Sequence, residues 1–85
     1  MHERNGNREI TARGISEKLK IPYSKINHYT YLGFFSIVRK SGNQRIYDWH
    51  EVENRYQTIS KLANQGYPLS LIRKKMMGLV SDELL

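Results

Sequence analysis

Apolar residues recur along the chain at two periods, and the switches between them mark out an order of elements. Ala12, Ile15 and Leu19 follow at spacings of three and four, one stripe of a helix, and Thr11 is placed to cap its N-terminus. Gly14 weakens that helix by up to ~1 kcal/mol relative to Ala, so it must lean on neighbours. Lys20-Ile21-Pro22 breaks it, and Pro22 suits the start of the next helix. That second helix, residues 23–31, turns Ile26 and Tyr29 inward and Ser24, Lys25, Asn27 and His28 outward, and Gly33 ends it. Phe34-Phe35-Ser36-Ile37-Val38 is β-prone and Arg45-Ile46-Tyr47 alternates as its return strand. Between them Gly42-Asn43 can supply the positive φ of a hairpin turn, which makes a short wing with a basic tip.

Asp48 opens a third helix as N-cap, with Glu51 at the capping-box position. The stripe Val52, Tyr56, Ile59, Ala63 carries that helix to about Gln65, and Gly66 stops it. Tyr67-Pro68 leads into a fourth helix with Leu69, Ile72, Met76 and Leu79 on its apolar face; Arg73, Lys74 and Lys75 form a solvated face. Tyr56 and Tyr67 belong to the core, and Trp49 packs at the start of the third helix. The predicted fold is mainly α: a winged helix-turn-helix of about four helices, with a two-stranded β-hairpin wing between helices 2 and 3. It occupies residues 10–80 as one domain, since 85 residues cannot build two cores. A flexible polar arm (1–9) precedes it and a tail (81–85) follows.

Composition narrows the chemistry. With no Cys there is no disulfide scaffold, Cys-ligated zinc or cysteine nucleophile. His2, His28 and His50 lack ligand spacing, so no metal and no cofactor is expected. Nothing resembles a catalytic constellation or a phosphate-binding glycine loop, so the chain reads as a non-enzyme. No apolar run reaches ~18 residues, no signal core opens the chain, and a cytoplasmic, nucleoid-associated location is expected.

Charge adds a direction. There are 14 Lys+Arg against 8 Asp+Glu, a formal net of +6. From Arg13 to Arg45 seven basic residues meet one acid, Glu17, whereas Asp48 to Glu53 holds three acids and no Lys or Arg. The acid-poor region covers the second helix and the wing. In a helix-turn-helix the second helix enters the major groove. The expected partner is therefore double-stranded DNA, with no membrane and no small-molecule ligand. The candidate contacts are Thr11, Arg13, Ser24, Lys25, Asn27, His28, Tyr29, Arg39, Lys40, Asn43, Gln44, Arg45 and Tyr47. Lys25, Asn27 and His28 suit base edges, and Arg39, Lys40 and Arg45 suit phosphates.

Three stretches resemble the DNA-binding domain of the MerR family of bacterial transcription regulators. Asn27-His28-Tyr29-Thr30-Tyr31-Leu32-Gly33-Phe34-Phe35 is similar to the family's Arg-Tyr-Tyr-Glu-x-x-Gly-Leu-Leu stretch. Arg45-Ile46-Tyr47 is similar to its Arg-x-Tyr wing strand, and Gln65 to Ile72 to its Leu-Gly-Phe-Ser-Leu-x-x-Ile junction. The resemblance implies a winged helix-turn-helix regulator that reads the major groove with residues 23–31 and reaches flanking backbone and minor groove with a wing at 36–47. It also implies that Tyr29 and Arg45 hold phosphates or brace the wing. Asn27, His28 and Thr30 depart from the family's Arg, Tyr and Glu, so the preferred sequence does not transfer. The family's long dimerising helix and effector domain do not follow Lys74. The chain thus reads as an excised domain or as a small standalone member of the BldC type, binding DNA head to tail or as a dimer. Two other functions fit the same pattern: an excisionase-like factor that bends DNA, and a protein-binding adaptor, which exposure of Phe34-Phe35 or Leu84-Leu85 would favour.

Overall fold

The computed structural model describes residues 8–78. Strand β1 (Glu9–Thr11) leads into helices α1 (Ala12–Leu19) and α2 (Tyr23–Tyr31). Strands β2 (Ile37–Ser41) and β3 (Gln44–Asp48) form the wing, and helices α3 (Trp49–Asn64) and α4 (Leu69–Met76) complete the domain. This is a winged helix-turn-helix, mainly helical, as the pattern predicts. Most of the expected 1–9 arm, and Leu79, Leu84 and Leu85, lie outside the described residues.

The helix boundaries follow local chemistry. The Thr11 hydroxyl accepts from the Gly14 N–H at 3.0 Å, capping α1. Lys20 closes α1 in the left-handed region (φ 59°). Ser16 fastens the turn: its carbonyl accepts from Ile21 N–H at 3.3 Å and its hydroxyl donates to the Ile21 carbonyl at 2.7 Å. Ile21 is thereby buried in the elbow between α1 and α2.

The C-terminus of α2 is fixed more heavily than its sequence suggests. Gly33 takes a φ of +91°, and a Cβ there would meet Met77 Cε at 3.2 Å. The Arg73 side chain donates through Nε to the Leu32 carbonyl at 2.6 Å. Arg55 Nη1 donates to the Phe34 carbonyl at 3.0 Å. One cation thus answers the C-cap carbonyl at this helix end, where the dipole favours positive charge, and a second holds the turn just beyond it. Arg73 is therefore not part of a solvated face, because its guanidinium is drawn inward by an unpaired carbonyl.

The wing gains a third strand. The sheet order is β1-β3-β2, all antiparallel, with Ile10 opposite Tyr47 and Thr11 opposite Ile46. The expected two-stranded hairpin is thus extended, and Glu9 is a strand residue. Phe34 and Phe35 do not begin the wing; they are buried at 0% and 1% exposure, and β2 starts at Ile37. A register irregularity between Ile37 and Arg39 leaves Val38 as the extra residue. Asp48 caps α3 by accepting from the His50 N–H at 2.9 Å. Glu51 does not complete a capping box. Its Oε1 accepts from the Ser36 N–H at 3.1 Å and ties the base of the wing to α3. On α3 it is Leu62 that is buried, and Ala63 is exposed.

The core is aromatic at its centre. Tyr29 makes edge contacts with Phe34 and Phe35, both at 5.4 Å between centroids, and a tilted one with Tyr56 at 6.4 Å. Phe35 in turn meets Tyr47 edge-on. Such pairs contribute beyond their buried area, by about 0.5–1.5 kcal/mol each. Trp49 and Tyr67 pack partly buried against this cluster, as does Tyr56. The inner stripe of α2 and the inner row of the wing share one core.

Candidate nucleic-acid interface

Helix α2 buries only Ile26 and Tyr29. Everything else on it except the half-buried Thr30 is exposed, and none of it is acidic. Ser24, Lys25, Asn27 and His28 therefore stand on one polar surface with hydrogen-bonding heads in solvent. Lys25 Nζ sits 5.9 Å from the Tyr29 ring centroid, which steadies its stem without consuming its charge.

On the exposed side the wing meets this helix through a hydrogen bond between side chains. Arg45 Nη2 donates to Asn27 Oδ1 at 2.6 Å, and the Arg45 guanidinium lies 5.7 Å from the Tyr47 ring centroid. Lys40 is directly opposite Arg45 across the β2–β3 ladder. Like charges opposed in a sheet are destabilising, by roughly 0.2–1 kcal/mol. The fold tolerates that cost at the wing tip, where an anion would relieve it. Thr11, Arg13, Tyr23, Asn43, Gln44 and Arg45 line a shallow groove between the start of α1, the start of α2 and the wing tip.

Two candidates lie beneath this surface. Tyr29 is 6% exposed, and burial raises its phenol above the ordinary tyrosine value, with Tyr56 adding to the shift. Tyr47 is fully buried, and its hydroxyl lies 2.8 Å from the Thr30 hydroxyl. Both brace the surface from below. Thr11 Oγ1 is engaged in capping, and Arg13 is exposed beside Glu17, 3.6 Å away.

Arg39 stands apart. Strand alternation puts it in the Ile46 row, on the sheet face opposite Tyr47, Arg45 and Lys40. There its Nη2 and Nε donate to Glu9 Oε1 and Oε2 at 2.7 and 3.2 Å. The hydrogen bonds from Arg39 hold the Glu9 carboxyl below its ordinary value, and Glu9 raises Arg39. Arg8 pairs with Asp48 nearby at 3.3 Å. Sequence reasoning missed Tyr23 and Glu9. An aromatic residue at the first position of α2 was a signal for Tyr23. Nothing local pointed to Glu9, because its partner is thirty residues away.

Apart from Glu17 beside Arg13 at its rim, the surface offers donors and cations without carboxylates, which suits a polyanion with a hydrogen-bonding edge. Among the described residues no group of three or more His, Cys, Asp or Glu is placed to hold a metal ion. No helix among them is long and apolar enough to cross a membrane. A family model described as "MerR HTH family regulatory protein" matches residues 10–79. Searches of curated proteins and of solved structures returned no match.

Proposed function

The chain belongs to the MerR family of helix-turn-helix regulatory proteins, a family of DNA-binding transcription regulators, and we propose that it inserts α2 into the major groove while its wing grips the flanking backbone or minor groove. The observation that carries this reading is the Arg45–Asn27 hydrogen bond. It joins the wing to the groove helix inside a surface free of acids from Lys18 to Tyr47. Lys25, Asn27 and His28 read base edges. Arg45 and Lys40, with the wing-tip amides, hold phosphates and supply most of the affinity and its salt dependence. Thr11, Arg13, Ser24, Asn43 and Gln44 border the same surface and add contacts at its rim, while Tyr29 and Tyr47 position it. Phe34 and Phe35, whose exposure would favour a protein-binding adaptor, are buried.

Two substitutions test the division of labour. Arg45→Ala weakens binding to every duplex and reduces the slope of log K against log salt by about 0.9, the share of one phosphate. Asn27→Ala leaves that slope in place and relaxes the preference at one base position. Parental behaviour from both variants in a salt-titrated binding assay would overturn this assignment.

A further inference from the structure

The three wing cations are not equivalent. Among the described residues Lys40 and Arg45 have no acidic partner, and Arg45 donates to the neutral Asn27. Arg39 alone is gripped by a carboxylate, through two parallel hydrogen bonds to Glu9. β1 and β2 are not neighbours in the sheet, so this fork reaches over β3. Its geometry is the one a guanidinium offers to a phosphate: two N–H groups on two oxygens. We propose that Glu9 is an internal competitor for the DNA backbone, occupying Arg39 in place of a phosphate, so that the free protein holds one wing cation in reserve. The proposal rests on the DNA-binding role argued above.

Two observations and a general property of exposed ion pairs support it. The pair is open: the Arg39 side chain is 54% exposed and Glu9 30%, so the guanidinium is accessible to a phosphate that approaches the wing on the face away from Arg45 and Lys40. Exposed pairs are weak and screened by salt, so displacement is easy. The adjacent acid is already engaged at both oxygens. Asp48 already accepts from Arg8 through Oδ2 and from the His50 N–H through Oδ1. Neutralising Glu9 therefore releases Arg39 rather than handing it to another carboxylate.

The test is a double-mutant cycle on the whole chain, comparing the parent, Glu9→Gln, Arg39→Gln and the double variant. Binding to a labelled mixed-sequence duplex is followed by fluorescence anisotropy across a salt series, with circular dichroism confirming that each variant is folded. Glu9→Gln should bind about fivefold tighter at ~0.15 M salt and steepen the salt slope by ~0.9, as one added phosphate contact requires. In the Arg39→Gln background the same change should do nothing. Glu53→Gln, which removes a negative charge from α3, should leave the slope unchanged. The proposal fails if Glu9→Gln binds like the parent, or if its gain survives without Arg39, since that is a general charge effect. A parent that binds with steep salt dependence alongside a silent Glu9→Gln sinks this proposal alone. If no protein in the set binds duplex even at low salt, the DNA-binding reading falls and the proposal with it.

Discussion

The hydroxyl pair between Tyr47 and Thr30 joins the wing to α2 from inside, and its geometry fixes an order of costs. The Thr30 hydroxyl has one proton, and it goes to the Ile26 carbonyl at 2.7 Å. Tyr47 must therefore be the donor in the 2.8 Å contact between the two hydroxyls. Tyr47→Phe removes that donor and leaves a half-buried oxygen that still donates to Ile26, at a cost of about 1 kcal/mol. Thr30→Val is the worse change. It leaves the hydroxyl of a fully buried Tyr47 with no acceptor, a desolvation penalty of about 2 kcal/mol. The double variant replaces both partners by apolar groups, so it should cost less than the sum of the singles, by about 1 kcal/mol of coupling. In a domain of this size 1 kcal/mol moves Tm by roughly 4–8 °C, well within reach of thermal or urea unfolding followed by circular dichroism. A Thr30→Val variant more stable than Tyr47→Phe would refute the donor assignment. So would single costs that simply add.

Three further outcomes follow from specific contacts. Gly14→Ala improves helix propensity by about 1 kcal/mol in isolation. Its Cβ would stand 2.7 Å from Ile10 Cγ1, however, so Ile10 must shift and the variant should melt below the parent. The Glu9–Arg39 fork should stabilise the fold above the unfolded-state carboxyl range near pH 4.3, and that contribution is lost as pH falls through the depressed folded-state value. Melting curves of the parent and Glu9→Gln should therefore converge at low pH, and a pH-independent gap would contradict the fork. Tyr29, raised by burial, ionises after the unfolded chain's tyrosines. The unfolded state thus sheds its proton first, and stability declines as pH climbs past about 10, which urea unfolding at a series of alkaline pH values should show.

What the sequence carried was set by local chemistry. Thr11, Pro22, Gly33, Asp48 and Gly66 each fix a boundary through a cap, a ring or a positive φ, and those boundaries need no distant partner. The buried Ile26 and Tyr29 likewise follow from a spacing of three, and they dictate which α2 residues face solvent. What was illegible depends on contacts across the chain. β1 has three residues and no periodic signature; it is a strand only because β3 offers it an edge. Glu51 sits where a capping box predicts it, yet the Ser36 N–H claims its carboxylate. Arg73 looks solvated on a helical wheel, but the open carbonyl of Leu32, 41 residues earlier, draws it in. The candidate site divides the same way. The acid-free face was plain from composition, whereas Arg39's place on the other side of the sheet depends on the bulge at Val38, which no local pattern announces.

The central claim is that the joined face of α2 and the wing reads double-stranded DNA by sequence. Selection of bound duplexes from a random pool at near-physiological salt tests it most directly. The account predicts an enriched motif, whose layout as direct or inverted repeats also reveals how copies assemble, and loss of preference at one position of that motif in Asn27→Ala. Binding without enrichment would contradict sequence reading and leave only a backbone-gripping, DNA-shaping protein. The absence of any retained duplex would contradict the interface itself.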